Sequence, residues 1–376
     1  MNLMPTDPAP VPTVLVGAGS IARSHARAID ATPGLGLAAI VSRGGTTART
    51  LADELALTGS PSRPRAVGSL GEALRRVRAP SVAEGAHDGA RPLVVVATPT
   101  ASHLALAEEA IAAGAHVLIE KPLDVDLAAA RAFADRTRTA TAAGQVISVV
   151  SQHRFDAASL AVRDAVRAGR LGRITSAVAT VPWWRSPAYY AASPWRGTFA
   201  GDGGGALMNQ GIHMLDLVVA LLGRPTAVAA MAAQTLHPIE AEDTAGLLLR
   251  FESGALATMH ASTSAYPGLA ARLQVAGSLG SAVIENEALV YLHADPAEAA
   301  PDYGLYGGGN QLAAVAAAPR VDPTESPAGL ARQYADVAAA IAEGRDPAVT
   351  VGDALVTLGV IEAAYRSARD GRTVGL

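Results

Sequence analysis

The 376-residue sequence contains no cysteine, which excludes disulfide bonds, thiol catalysis and thiolate metal ligands. Aromatic residues are scarce as well, at 4% of the chain. The formal net charge is only −4, and no block of basic residues stands out. The sequence therefore lacks the electrostatic signature of nucleic-acid or anionic-membrane binding, and we expect neither partner.

Long apolar segments and clustered metal ligands are also missing. No uninterrupted apolar run reaches the roughly 18 residues that a membrane span needs. Residues 1–12 lack the charged-then-apolar pattern of a signal peptide. No spacing of His, Asp and Glu suggests a metal site. We therefore expect a cytoplasmic protein without a membrane segment or a bound metal.

Half of the residues are hydrophobic, and a chain of this length suits two domains. From residue 11 to 150, short and continuously apolar runs alternate with helical stretches. This alternation is typical of a doubly wound α/β domain, in which helices cover both faces of a parallel sheet. The predicted strands are 13–16, 37–41, 93–98, 116–119 and 145–150, and a surface insertion is predicted at 75–92.

The remainder of the chain, residues 151–376, has a different pattern. Gly and Asn turn signals separate runs of β-sheet composition, and Glu252-Ser253-Gly254 is typical of a hairpin. We predict an α+β domain with a mostly antiparallel, open sheet that serves substrate binding and oligomerisation. The final helices, at 330–343 and 352–369, are free to pack back on the first domain. Further predictions are strands at 174–181, 226–234, 244–251, 255–262, 272–276 and 282–285, helices at 157–168 and 208–222, and a surface loop at 296–327.

A glycine-rich turn follows the first predicted strand and opens the first helix. Gly17, Gly19 and Ala22 form a G-x-G-x-x-A motif. Gly17 permits the tight turn, Gly19 lets the backbone approach a pyrophosphate, and Ala22 allows close helix–sheet contact. Ser20 and Ile21 complete the helix start, whose N–H groups attract phosphate. The motif predicts a Rossmann domain that binds a dinucleotide.

The position that selects between the two nicotinamide cofactors carries no acid. An acid at the end of the second strand would hold the ribose 2′-hydroxyl of NAD. This strand ends in Ser42 and Arg43 instead. A hydroxyl and a guanidinium suit a 2′-phosphate, so NADP is favoured over NAD. The alternative is that Arg43 is a solvated loop charge.

Three further motifs carry a resemblance to a known family. Thr98-Pro99 with His103 and then Glu120-Lys121-Pro122 follow two neighbouring predicted strands, where open α/β sheets bind ligands. A Gly203-Gly204-Gly205 run leads to Asn209 and His213. Together with the first turn, these motifs resemble the Gfo/Idh/MocA oxidoreductases over nearly the whole chain. The resemblance implies an NAD(P)-dependent dehydrogenase or reductase that acts on a CH–OH carbon of a sugar, inositol or related polyol, as a homodimer or homotetramer.

The resemblance also implies roles for individual residues. Lys121 would hydrogen-bond the substrate hydroxyl and stabilise a developing alkoxide, after a cis peptide bond before Pro122. Glu120 would contact the cofactor ribose, and His213 would be the general base. Thr98, Pro99 and His103 would line the nicotinamide side of the site.

One position departs from the family pattern. Asn209 stands where the family often has an aspartate, four residues before His213. An amide still accepts a hydrogen bond from the imidazole ring but offers no counter-charge to it. We therefore expect His213 to be a poorer base, or Lys121 to carry more of the proton transfer.

The tryptophans are concentrated in one segment, at positions 183, 184 and 195. Flat rings stack on the apolar face of a pyranose or cyclitol, while neighbouring arginines bond its hydroxyl groups. The predicted substrate-binding residues are Lys121, Arg154, Trp184, Arg185, Tyr190, Trp195, Asn209 and His213.

Alternatives stay open at this point. The tryptophan segment also suits a subunit contact, because Trp and Tyr favour interfaces. The activity could be that of a ketoreductase on a nucleotide-linked sugar. A catalytically weakened NAD(P)-binding regulatory protein is the second alternative, for which Asn209 is the reason.

Overall fold

The computed structural model describes residues 9–78, 91–294, 309, 311–312 and 326–376. Most of the predicted insertion at 75–92 and nearly all of the predicted loop at 296–327 lie outside the described residues. The chain folds into two compact units. The first comprises Met1–Asp124, Ala128–Val150 and Leu330–Val351, and the second comprises Val125–Leu127, Ser151–Gly329 and Gly352–Leu376.

The first unit contains the predicted parallel sheet, which has six strands, five of them predicted. The elements up to residue 149 are β1 (Val11–Val16), α1 (Ala22–Asp30), β2 (Leu35–Val41), α2 (Thr46–Leu57), β3 (Arg65–Val67), α3 (Leu70–Arg78), β4 (Leu93–Val96), α4 (His103–Ala112), β5 (His116–Ile119), α5 (Leu127–Ala142) and β6 (Ile147–Val149). The strand order is β3-β2-β1-β4-β5-β6. Strands β2 and β3 are added on one side of β1, and β4 to β6 are added on its other side. The position between β1 and β4 is therefore the topological switch point, at which open α/β sheets bind ligands.

Burial explains which of these elements the sequence pattern predicted. Every residue of β4 and β5 is buried, because helices cover both faces of a parallel sheet. Those strands are continuously apolar and were predicted. β3 and α3 were not predicted, because β3 is a three-residue edge strand whose Arg65 is exposed. Residues 75–78 belong to α3 and not to an insertion.

The second unit contains an eight-stranded sheet. The elements from residue 157 to 294 are α6 (Ala157–Arg167), β7 (Ile174–Pro182), α7 (Pro187–Ala191), α8 (Phe199–Asp202), α9 (Ile212–Leu222), β8 (Pro225–Ala233), β9 (Thr244–Phe251), β10 (Leu256–Ser262), β11 (Arg272–Gly277), β12 (Gly280–Glu285) and β13 (Ala288–Ala294). All neighbouring strands pair antiparallel except β7 and β10. The predicted, mostly antiparallel sheet and the hairpin between β9 and β10 are confirmed.

Strand alternation shows that this sheet has one covered face. Buried and exposed residues alternate along β9 and β10. Helices α6 and α9 pack on the buried side, which is the arrangement expected of a half-solvated antiparallel sheet.

The helix predicted at 208–222 is interrupted. Residues Leu207–Gly211 form a π-helical turn, and the regular α9 begins only at Ile212. The stretch Phe199–Leu222 is long and apolar enough to cross a membrane, but its most apolar window is 89% buried inside the protein. Such burial is typical of a core helix.

The C-terminal elements are α10 (Pro327–Glu343), α11 (Val351–Asp370) and β14 (Val374–Gly375). Most of α10 belongs to the first unit, where Leu330, Tyr334 and Val337 join the main hydrophobic cluster. β14 pairs antiparallel with β8 at the edge of the second sheet and was not predicted.

Candidate active site

The glycine turn after β1 has the geometry that its motif predicts. Gly17 has φ of +114°, and a Cβ there would lie 2.1 Å from the carbonyl oxygen of Ala97, so the turn presses against the end of β4. A Cβ added at Gly19 would meet nothing within 4 Å. Ala22 is fully buried under the helix start, while Gly19 and Ser20 are exposed. Open space beside the N-terminus of α1 fits a pyrophosphate.

At the end of β2, the Ser42 side chain already takes part in a hydrogen bond of the fold. The Ser42 hydroxyl accepts a hydrogen bond from the backbone N–H of Ala48 at 2.9 Å, which satisfies a donor at the start of α2. Its own proton is still available to a phosphate. Arg43 is exposed and precedes Gly44 and Gly45, both with positive φ. The preference for NADP therefore depends mainly on Arg43 and stays a prediction.

Glu120, at the end of β5, anchors the neighbouring lysine. Its Oε1 lies 2.9 Å from His25 Nε2, and its Oε2 accepts the backbone N–H of Lys121 at 2.9 Å. His25 Nδ1 lies 2.7 Å from the Tyr334 hydroxyl. Burial opposes ionisation of Glu120, but the hydrogen bond from His25 and nearby positive charges hold its pKa below the usual value. The ionised carboxyl thus fixes the main chain at Lys121.

Neither His25 nor Tyr334 was predicted as part of this site. They are 309 residues apart, and both are fully buried. A further signal was present in the composition: Lys121 is the only lysine in the sequence, while every other cationic side chain besides histidine is arginine. Lysine differs from arginine in that its pKa shifts readily when it is partly buried.

The His103 ring lies between two main-chain carbonyl groups. Its Nδ1 lies 2.9 Å from the Pro122 carbonyl oxygen and its Nε2 lies 2.8 Å from the Thr98 carbonyl oxygen. The ring is buried, and this burial lowers the pKa of His103. Both ring nitrogens face main-chain carbonyl oxygens, and a neutral imidazole donates to only one of them. The place of His103 beside a nicotinamide stays a prediction. Thr98 is half-buried and Pro99 is exposed beside it.

The peptide bond between Lys121 and Pro122 is cis, as the resemblance implies. The Lys121 side chain is half-buried. The structure thus combines the expected cis bond with a half-buried lysine after β5.

The glycine run of the second unit is surrounded by protein. A Cβ at Gly204 would lie 2.0 Å from the Tyr365 hydroxyl, and one at Gly205 would lie 1.7 Å from the Glu242 carbonyl oxygen. The Glu242 carboxyl accepts the N–H groups of Gly205 and Leu207, at 3.1 and 2.8 Å, and the Tyr365 hydroxyl at 3.1 Å. Burial raises the pKa of Glu242. The glycines are required by this close packing.

Asn209 and His213 follow this run. Asn209 lies in the π-helical turn, so the predicted single α-helical turn between the two residues is not regular. Its amide donates to the Gly204 carbonyl oxygen at 3.5 Å. His213 is buried, and its ring meets the His153 ring edge-to-face with centroids 4.9 Å apart. The role of Asn209 as an orienting group stays a prediction.

A cavity of about 530 Å³ lies within the second unit. Three predicted substrate-binding residues line it: Trp184, Arg185 and His213. Three buried polar atoms of lining residues have no hydrogen-bond partner among the described residues, namely His153 Nε2, Trp183 Nε1 and Gln210 Oε1. Each of these atoms has almost no accessible surface, so a ligand in the cavity reaches them only if neighbouring side chains move.

Other predicted substrate residues are held elsewhere. Arg154 was predicted to bind substrate, but its Nε and Nη2 each donate to Asp216 at 2.6 Å and its Nη1 donates to Asp353 at 3.3 Å. Three of the five guanidinium N–H groups are therefore bonded to two carboxylates, and Arg154 is not among the described residues that line the cavity. We correct this assignment to a structural one, because the bidentate pair ties the chain after β6 to α9.

Tyr190 and Trp195 are also absent from the described lining of the cavity. The Tyr190 hydroxyl lies 2.7 Å from Thr263 Oγ1, and burial raises the pKa of Tyr190 to about 12. The guanidinium of Arg196 lies 5.4 Å from the ring centre of Trp195. The sequence could not distinguish Tyr190 and Trp195 from the cavity-lining Trp184, because all three residues belong to one short segment.

An acidic group on the cavity wall was not predicted. Glu287 Oε1 lies 3.9 Å from His153 Nδ1, and that nitrogen is hydrogen-bonded to Asp156 Oδ2 at 2.8 Å. Burial and the negative charge of Asp156 raise the pKa of Glu287 to about 7. Each of these three side chains offers an atom within 4.8 Å of the others, as a cation site would need. Asp156 is also bonded to Ser326, so we assign the cluster to hydrogen bonding.

Comparisons with known proteins find a family-model match in each of the two units. The family model described as "Oxidoreductase family, NAD-binding Rossmann fold" matches residues 11–151, and the GFO/IDH/MocA C-terminal domain model matches residues 159–283. Inositol 2-dehydrogenase of Rhizobium meliloti is 26% identical over 370 residues, which cover 96% of this chain and 98% of that protein.

Two further relatives differ in cofactor. The Bacillus subtilis protein named scyllo-inositol 2-dehydrogenase (NADP(+)) IolW is 27% identical over 298 residues, 77% of this chain and 80% of its own. The solved WlbA dehydrogenase of Bordetella pertussis, in complex with NADH and UDP-GlcNAcA, has a TM-score of 0.76 and 27% identity and covers 99% of both chains.

Proposed function

Because this chain belongs to the Gfo/Idh/MocA family of NAD-binding oxidoreductases, we propose that it transfers a hydride between a nicotinamide and a hydroxyl-bearing or keto carbon of a sugar, inositol or related polyol. One observation carries the substrate class. The cavity lined by His213 is also lined by Trp184, Arg185 and Glu287, which combine a flat ring with charged hydrogen-bonding groups. A polyol supplies hydroxyl groups that both donate and accept, and an apolar ring face that stacks on indole.

A bound nicotinamide would accept or supply the hydride, and residues of the first unit would hold it. Gly17, Gly19, Ser20, Ile21 and Ala22 would form the pyrophosphate turn. Thr98 and Pro99 would flank the ring, and Glu120, which accepts the backbone N–H of Lys121, would contact the ribose. NADP is the preferred cofactor, because the exposed guanidinium of Arg43 suits a 2′-phosphate.

We assign the proton transfer to two side chains, Lys121 and His213. The Lys121 ammonium hydrogen-bonds the reacting oxygen and stabilises the charge that develops on it. His213 accepts the hydroxyl proton in the oxidative direction and returns it in the reductive direction. Asn209 provides no negative charge for the imidazolium, so the ammonium carries a larger share of the stabilisation.

An exposed apolar face of the sheet in the second unit supports a homo-oligomer. Val178, Leu248 and Met231 are apolar side chains that lie 45%, 46% and 83% exposed on β7, β9 and β8. Pairing of this face with a second copy would give a homodimer, and two such pairs a homotetramer. Light scattering after gel filtration of the wild type and of Leu248→Lys tests the assembly.

We also propose a cytoplasmic location for the protein.

The activity is tested by mixing the purified protein with NAD or NADP and a panel of polyols and aldoses, and by following absorbance at 340 nm. We expect reduction of the cofactor with at least one cyclitol or pyranose, and a lower KM for NADP than for NAD. Absence of any absorbance change with all of these substrates would contradict the proposal.

A second candidate is favoured by the WlbA relative, which was solved with a nucleotide-linked sugar. Arg185 lines the cavity and offers a guanidinium that suits a sugar carboxylate or a diphosphate. In that case UDP-linked uronic acids would be turned over and free polyols would not.

A further inference from the structure

The hairpin between β12 and β13 has an unusual residue at its tip. Asn286 and Glu287 form the two-residue loop, with φ of +44° and +68°. Such loops need positive φ at both positions, and Asn followed by Gly is the usual pair. Glutamate is unfavourable in the left-handed region because its Cβ crowds the backbone. The chain therefore keeps a carboxyl-bearing side chain where glycine would be easier to accommodate.

The first residue of the loop determines where the second one points. The backbone N–H of Asn286 donates to the Ala271 carbonyl oxygen at 2.9 Å, and its side-chain oxygen accepts the Ala271 N–H at 3.0 Å. These two bonds fasten the loop to the segment before β11. Glu287 is thereby held on the wall of the cavity that Trp184 and His213 also line.

The fold itself gains little from this carboxyl group. Glu287 Oε1 lies 3.9 Å from His153 Nδ1, too far for a hydrogen bond, and Asp156 already occupies that nitrogen. Asp156 is a like charge at close range. An acid that combines backbone strain, partial burial and a repulsive neighbour is typical of a residue kept for binding rather than for stability.

We propose that Glu287 is a specificity-determining residue, whose carboxyl accepts hydrogen bonds from two adjacent hydroxyl groups of a polyol in this cavity. The inference rests on the proposed function and names the part of the substrate that the second unit recognises. A carboxyl group offers two oxygens side by side, a spacing that suits two vicinal hydroxyl groups. Trp184 and Arg185, which line the same cavity, then contact other parts of the ring.

The experiment compares Glu287→Gln and Glu287→Gly with the wild type. KM is measured for the best substrate among myo-inositol, D-glucose and D-xylose, and isothermal titration calorimetry gives the affinity of the same compounds with reduced cofactor bound. Loss of one charge-assisted bond predicts a rise of about tenfold in KM and Kd for Glu287→Gln, with kcat little changed. Glu285→Gln is the matched control, because Glu285 is on the same hairpin and pairs with the exposed Arg272.

Glu287→Gly separates a binding role from a structural one. Glycine relieves the left-handed strain, so Tm should rise by about 2 °C while substrate affinity falls. A side chain with a structural role would lower both quantities together. A deoxy analogue that lacks one of the two adjacent hydroxyl groups should bind the wild type about tenfold less tightly than the parent compound does. The Glu287→Gln variant should bind the deoxy analogue and the parent compound with nearly equal affinity.

The outcomes distinguish this inference from the function on which it rests. Turnover by wild type with unchanged KM in Glu287→Gln overturns the inference and leaves the function standing. Binding of a polyol without hydride transfer contradicts the function, and the Glu287 variants are then judged by Kd alone. Failure of wild type to bind any of the three compounds would overturn the inference as well.

Discussion

The two glycine-rich segments of this protein resemble each other in sequence, but Gly19 in the first and Gly204 and Gly205 in the second have opposite surroundings. At Gly19 an added Cβ would meet nothing within 4 Å, whereas at Gly204 and Gly205 it would lie 2.0 and 1.7 Å from protein atoms. In the first segment Gly17 packs against Ala97, and the missing side chain of Gly19 leaves room for a ligand. In the second it leaves room for Glu242 and Tyr365. A glycine run thus indicates close approach, but the tertiary structure decides what approaches.

The strongest test of this contrast is Gly205→Ala. The new methyl group would collide with the backbone of Glu242, which cannot move like a flexible side chain. We expect a loss of at least about 3 kcal/mol in the free energy of unfolding, measured by urea denaturation. Gly246→Ala in β9, where a Cβ meets nothing within 4 Å, is the control and should be nearly neutral. Equal stabilities for the two variants would refute the close packing.

Lys121→Ala should leave the fold intact and reduce turnover. The side chain is half-buried, and its main chain is held by Glu120 independently of the ammonium group. Loss of acid–base help lowers kcat by about 100-fold or more. Because Lys121 is the only lysine, reductive methylation of the wild type labels this side chain and the N-terminus alone, and NMR can follow its titration. Near-normal turnover of the variant would remove Lys121 from the mechanism.

Gly19→Ala should weaken cofactor binding with little effect on stability. The methyl group would occupy the space proposed for the pyrophosphate, so Kd for the dinucleotide should rise about tenfold by calorimetry. Tm should change by no more than about 1 °C, since surface substitutions of this kind are close to neutral. Gly359→Ala in α11 is the control. An unchanged Kd would show that the dinucleotide does not approach this turn.

The smallest expected effect is a pH-dependent change in stability at Glu287. Its pKa is raised from 4.5 to about 7, so the folded state binds the proton more tightly than the unfolded chain does. The stabilisation is complete below pH 4.5 and is lost as the pH rises to about 7. Because the side chain is 37% exposed, the loss should be only about 1 kcal/mol after solvent screening. Glu287→Gln should therefore gain stability relative to wild type between pH 5 and 8, and a constant difference in urea unfolding would contradict this expectation.

Local sequence signals were sufficient where a pattern repeats within a few residues. The buried runs of β4 and β5 and the turn at Gly17 were predicted, because apolar continuity and turn chemistry are properties of neighbouring residues. The three-residue β3 was not, because an exposed edge strand has no such pattern. The π-helical turn at Leu207–Gly211 escaped prediction as well, because the apolar pattern of residues 208–222 is that of a continuous helix.

The sequence by itself determined the two kinds of sheet, the dinucleotide turn and the placement of the single lysine at the end of a parallel strand. Only the tertiary structure decided that Arg154 is paired with Asp216 and Asp353, that His25 and Tyr334 support Glu120, and that Glu287 faces a cavity. The physical reason is the range of the interactions. Periodicity and turn chemistry act between near neighbours, whereas a hydrogen bond or a cavity wall joins residues that are far apart along the chain.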